Sequence, residues 1–218
     1  MNPRTTPETR TTHRANPIRR VRANAAVAGL ALALASGCRV VDAASLPAEP
    51  GVVVDMPVAQ PPYQNVEPNW KQRMDQPYVY LELIGDYRET GRAFAGLARA
   101  MRDQGMRPSG APFALFYDDP GTVPIAQLRS RACIPVDSPA RPRAPLAADL
   151  LPSRTVVYAY AGGRYTDLPR AYPGLYAYMA KMNWNEAGPV REIYMVPPEG
   201  TQESDLIAEI QIPVGWAD

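Results

Sequence analysis

An α+β fold made of a duplicated βαββ unit is what this sequence predicts, on three observations. The first is internal repetition. Shifting the chain by 78 positions lays Val79-Tyr80 on Val157-Tyr158, Gly85 and Tyr87 on Gly163 and Tyr165, and Ile134-Pro135-Val136 on Ile212-Pro213-Val214. About 15 identities fall in about 58 positions, with no gap. Repetition at a fixed period governs fold class, and two copies make a duplicated unit rather than a solenoid. The second observation is that each copy opens on period-two alternation and continues with apolar residues three and four apart, a strand followed by a helix. The third is matched punctuation late in each copy, Asp119-Pro120-Gly121 and Pro197-Pro198-Glu199-Gly200, which marks hairpins. Two such units close into a curved antiparallel sheet or barrel with two helices and a pseudo-two-fold axis. An axis of this kind leaves a cleft between the halves, where ligands often sit.

The start of the chain reads as an export signal. Arg19, Arg20 and Arg22 precede an apolar run from Ala25 to Ala35, too short for a membrane span of about 20 residues. The run ends Leu34-Ala35-Ser36-Gly37-Cys38, which resembles a bacterial lipobox with Ala35 where leucine is usual. Residues 1–37 then read as a lipoprotein signal and Cys38 as the lipidated residue; the other reading is an ordinary secretory signal with Cys38 incidental. Arg39 carries no inner-membrane retention signal, which points to a lipoprotein at the periplasmic face of the outer membrane.

Removing residues 1–37 leaves 17 basic and 21 acidic residues, a net charge of −4. Duplex binding needs a basic stripe that neutralises phosphates, and none is visible, so no nucleic-acid partner is expected. The sole histidine, His13, leaves with the signal, which removes imidazole as base or ligand. Zinc-type spacing and phosphate-loop glycines are absent, so neither metal nor cofactor is expected. Cys133 has no intrachain partner and reads as a buried structural thiol. Residues 38–77, with seven prolines from Pro47 to Pro77, read as a stiff tether, unless Tyr63 or Trp70 folds back onto the domain.

The domain spans residues 78–214: half one 78–136, a proline-rich surface connection 137–153, and half two 154–214. In the strand Tyr78 to Ile84, Val79, Leu81 and Leu83 share one face and Tyr78, Tyr80, Glu82 and Ile84 the other. Its counterpart runs from about Val156 to Ala161. Phe94, Leu97, Ala98 and Met101 make one amphipathic helix, and Leu168, Tyr172, Leu175, Tyr176 and Met179 the other. Thr90 and Thr166 are the expected N-caps, and Gly105 ends the first helix. The remaining strands are about Phe113 to Tyr117, Leu128 to Val136, Val190 to Val196, and Leu206 to Val214.

A duplication suggests where function lies: at equivalent positions whose chemistry differs. Glu192 stands where the first copy has Ala114, and Arg191 where it has Phe113. Glu192 and Tyr194 share a strand face with Val190 and Val196, where a carboxylate is costly unless paired or solvated. Glu192 is either the anchor for a cationic ligand, aided by tyrosine faces, or half of a surface salt bridge, for instance to Arg164. Tyr80, Tyr158 and Tyr160 lie on the strand face opposite the helix-packing face and are expected to line the cleft. Trp184 is a weaker candidate, and Asp118 and Asp119 read as turn formers.

The Gly85-Asp86-Tyr87 turn, the run Phe116 to Pro120, the Gly163-Arg164-Tyr165 turn and the strand Arg191 to Tyr194 together resemble the GyrI-like small-molecule-binding family, also called the bacterial effector-binding domain, over about residues 77–214. The resemblance implies a duplicated βαββ fold and a pocket between the halves for bulky, often cationic or aromatic compounds, with a second-half glutamate as polar anchor. Some members hydrolyse electrophilic toxins. The expected function is therefore small-molecule binding at the cell envelope. The competing reading is a hydrolase with Glu192 as general base and Tyr194 orienting or protonating.

Overall fold

The computed structural model of the protein describes residues 54–216. The expected signal segment 1–37, with His13, and Cys38 and the first part of the expected tether lie outside them. The described chain forms, in order, β1 (Val58–Ala59), β2 (Asn69–Arg73), β3 (Gln76–Ile84), α1 (Thr90–Asp103), β4 (Phe113–Phe116) and β5 (Arg129–Pro135). Then come β6 (Ala147–Leu151), β7 (Arg154–Gly162), α2 (Tyr172–Lys181), β8 (Trp184–Glu186), β9 (Val190–Tyr194) and β10 (Ile207–Trp216). The curved sheet runs β1-β7-β10-β9-β4-β5-β3-β6, with β2 also on β7 and β8 also on β10. Only β1 with β7 is parallel among the described pairs.

Strand pairing keeps the repeat residue for residue. Val79 faces Ile134 as Val157 faces Ile212. At the centre β4 meets β9, with Phe113 opposite Ile193, Ala114 opposite Glu192 and Leu115 opposite Arg191. Ala114 and Glu192 are repeat equivalents that pair with each other, so the pseudo-two-fold axis passes between them.

Two stretches expected outside the sheet belong to it. Residues 58–77 are not simply a tether: β1 and β2 both lie along β7, and buried Tyr63 donates its hydroxyl to the Gly162 carbonyl at 2.8 Å. The connection 137–153 contains β6, which pairs with β3. β2 and β6 are themselves repeat mates, since Asn69 faces Tyr158 as Ala147 faces Tyr80. The unit is therefore ββαββ, and its first strands are exchanged: β2 leads into β3 yet pairs with β7, and β6 leads into β7 yet pairs with β3. Without them the outer strands would present unpaired N–H and C=O groups. Satisfying those groups is the physical reason these segments dock.

Both helices lie on one face of the sheet. α1 buries Leu97 and Met101 over Val79, Ala132 and Ile134. α2 buries Leu175 and Met179 over Val157, Ala159, Ile210 and Ile212. Neither threonine serves as an N-cap. A 3-10 turn, Tyr87–Glu89, precedes α1 and is capped by Asp86, leaving the Thr90 hydroxyl to bond Ser130 at 2.7 Å. Thr166 lies inside the 3-10 segment Tyr165–Ala171, which has no side-chain cap. The helices end alike, with Gly105 (φ 70°) and its repeat mate Asn183 (φ 54°) in the left-handed conformation that closes helix C-termini.

Candidate functional site

α1 packs over β3 and β5, and α2 over β7 and β8. The central strands β4 and β9 are left uncovered between the helices, and a cavity of about 1400 Å³ opens there. Its floor is Val190, Glu192 and Tyr194 of β9; Phe94 of α1 and Tyr172 and Tyr176 of α2 form facing walls. The repeated Gly-x-Tyr turns hold its rim. Tyr87 donates to the Asp118 carbonyl at 2.9 Å and accepts from the Asp118 N–H at 2.9 Å. Tyr165 donates to the Val196 carbonyl at 2.5 Å and accepts from the Val196 N–H at 3.3 Å. Asp118 and Val196 are repeat mates, so the motif has a structural cause: each tyrosine fastens its hairpin to the start of its helix.

Glu192 sits on the axis and is 3 % exposed. Its carboxylate accepts hydrogen bonds from the Tyr172 hydroxyl at 2.6 Å and the Tyr194 hydroxyl at 2.9 Å. Burial pushes its pKa up to about 7, against the opposing pull of those two hydroxyls. Tyr194 in turn packs against Tyr165 and Phe94, at 4.7 and 5.5 Å between ring centroids. In the first copy this polar trio is Phe94, Ala114 and Phe116. One half of the cavity is thus a phenyl-lined copy of the other, which carries two hydroxyls and a carboxylate.

The charged groups around the cavity are one-sided. Arg88 pairs with Asp86, Arg92 with Glu89, and Asp118 with Arg129. Glu186, Glu192, Asp119 and Glu199 have no ion-pair partner among the described residues. Carboxylates without counter-charge beside aromatic faces suit an organic cation. Among the described residues no group of three or more His, Cys, Asp or Glu side chains is placed to hold a metal ion.

Of the residues singled out in the sequence, Glu192 and Tyr194 come together in the cavity. Arg164 does not pair with Glu192; it pairs with Glu203 at 2.6 Å. Tyr80, Tyr158 and Tyr160 do not line the cavity, because it opens on the helix side of the sheet and they point to the other side. There Arg131 stacks on Tyr80 at 4.0 Å, Lys71 on Tyr158 at 4.1 Å, and Tyr158 packs edge-on against Tyr160. Trp184 lies between Trp70 and Trp216, 6.3 Å from each. Asp119 accepts from the Gly121 N–H within its turn. Cys133 is buried, and burial raises its thiol pKa. Sequence reading missed Tyr172, the closer donor to Glu192. The signal was present in the repeat, where Phe94 against Tyr172 and Phe116 against Tyr194 each differ by one hydroxyl.

Residues 67–215 match the family described as GyrI-like small molecule binding domain. Among solved structures, the EcmrR C-terminal domain is similar with a TM-score of 0.63 at 17% identity, over 70% of this chain and 99% of that one. EcmrR in its DNA complex in EcmrR-RPo gives 0.63 at 16% identity over 70% of this chain, which spans only 58% of that longer one. A hydrolase encoded by lin2189 from Listeria innocua gives 0.51 at 8% identity, over 68% and 92% of the two chains. At such identities the likeness shows a common fold. No curated protein matches the chain.

Proposed function

The chain belongs to the GyrI-like small molecule binding domain family, and we propose that its ligand is a bulky, amphipathic organic cation seated in the axial cavity against Glu192. One observation carries this reading: a carboxylate 3 % exposed, held only by two phenols, faces an aromatic cavity without a cationic partner among the described residues. An uncompensated buried charge is costly, and a ligand cation offsets that cost. Phe94, Tyr165 and Tyr194 supply ring surface for the rest of the molecule. Calorimetry with a matched cationic and neutral ligand tests the proposal. Glu192→Gln keeps the shape and removes the charge, and is expected to weaken the cation by about 1–3 kcal/mol, the worth of a charge-assisted contact, with little effect on the neutral analogue. Equal loss for both ligands, or none for either, counts against it.

A hydrolase is the second reading, favoured by the Glu192 pKa of about 7, where a general base works best near neutral pH. On that reading Glu192→Gln leaves binding nearly intact and lowers turnover of an electrophilic substrate about 10²–10⁴-fold. We also propose that the protein is exported and anchored through lipid on Cys38, at the periplasmic face of the outer membrane. Fatty-acid label should enter the wild type and not Cys38→Ser; equal labelling of the two removes the anchor.

A further inference from the structure

The second half carries another tyrosine–carboxylate pair, which a ligand bound at Glu192 alone leaves unused. Glu186 ends β8 and accepts from the Tyr176 hydroxyl at 3.0 Å. One helical turn earlier, Tyr172 donates to Glu192 at 2.6 Å. Both carboxylates and both tyrosines line the same cavity of about 1400 Å³. The first copy has neither member of the outer pair: Ala98 stands in the place of Tyr176 and Pro108 in that of Glu186.

The sheet fixes how the two carboxylates relate. Glu186 is opposite Val214 and Glu192 is opposite Ile210. β8 and β9 follow one another along the same edge of β10, because the Pro213 carbonyl accepts from Ala187 as the Ile207 carbonyl accepts from Met195. Val214 and Ile210 both belong to the core beneath the helices, so the two glutamates project from one face. Their partners lie four positions apart on β10, roughly 13 Å at the usual strand rise. They differ in solvent access: Glu192 is buried at the floor and Glu186 is exposed at the mouth.

Resting on the reading of the cavity as a cation site, we propose that its ligand is an elongated dication, with one charged centre at Glu192 and the second at Glu186, which Tyr176 orients. The apolar spacer of such a molecule runs past the aromatic walls between the two ends. Glu186 acts at an exposed position, so its contribution is modest and falls with salt.

The test uses the full-length protein and two series of probes, alkyltrimethylammonium salts and alkane bis(trimethylammonium) salts of increasing chain length. By calorimetry at low ionic strength the best dication is expected to bind about three- to fivefold tighter than its monocation, an advantage that shrinks as salt is added. In Glu186→Gln that ratio falls to about one, and Tyr176→Phe reduces it. A ratio near one in the wild type overturns the proposal, as does a ratio that Glu186→Gln leaves unchanged. If neither series binds at all, the cation reading at Glu192 fails first and takes this inference with it.

Discussion

At Glu192 burial and hydrogen bonding act in opposite directions on the carboxyl group, and burial prevails, raising its pKa from 4.5 to about 7. The unfolded chain therefore loses this proton at lower pH than the folded one does. Below about pH 4.5 both states hold the proton and Glu192 makes no pH-dependent contribution. Between about 4.5 and 7 the unfolded state binds fewer protons, so stability falls as pH rises, by about 3 kcal/mol in all. Glu192→Gln cannot titrate. Urea melts across this range should show the variant gaining on the wild type as pH increases; a constant difference would mean an ordinary, solvated carboxylate. Cation affinity should rise over the same range, since only the ionised form attracts the ligand. The repeat made Glu192 legible, because a carboxylate opposite an alanine has no structural need. For Tyr172 the repeat marks only the added hydroxyl relative to Phe94; that this hydroxyl meets Glu192 is not in the sequence, because only the fold brings it to 2.6 Å from a strand residue twenty positions on.

The elements separate what the repeat shares from what one half adds. Gly96 and Gly174 are repeat mates, both inside helices. A β-carbon at Gly96 would meet nothing within 4 Å, whereas one at Gly174 would lie 2.6 Å from the Val66 β-carbon. The segment before β2 crosses the second half only. Gly96→Ala should therefore stabilise by about 0.5–1 kcal/mol through helix propensity. Gly174→Ala should destabilise by about 1–3 kcal/mol, because Val66 must move. Denaturant melts of the two variants check this, and equal effects would mean that residues around Val66 do not pack on α2. This segment was hard to read because its prolines resemble a tether and its strands are short. β2 and β6 were hidden for a related reason. Asn69–Arg73 and Ala147–Leu151 share no identical residue at the repeat offset. Outer strands that mainly satisfy backbone groups place few demands on side chains.

For the whole molecule, the exchange of β2 and β6 makes each half depend on the other. A fragment ending near residue 142 would lack the strand that covers β3, and its complement would lack the one that covers β7. Each fragment alone is expected to remain unfolded by circular dichroism, and an equimolar mixture to recover native signal. A half that folds by itself would show the exchange to be dispensable. Fold class and duplication were legible in the sequence, since both follow from periodicity and identity. The side on which the cavity opens was not. Alternation along a strand assigns residues to two faces without saying which face the helices leave open, and here both are buried at the centre, Arg191 at 4 % and Glu192 at 3 % exposure. The central claim, a cation held on the pseudo-two-fold axis, is tested most directly by a crystal structure with a tetra-aryl arsonium ion, located by the anomalous scattering of its arsenic. The predicted position is above β9, beside the Glu192 carboxylate and between Phe94 and Tyr172. Arsenic on the opposite face, near Tyr80 or Tyr158, or no arsenic site at all, would contradict the claim.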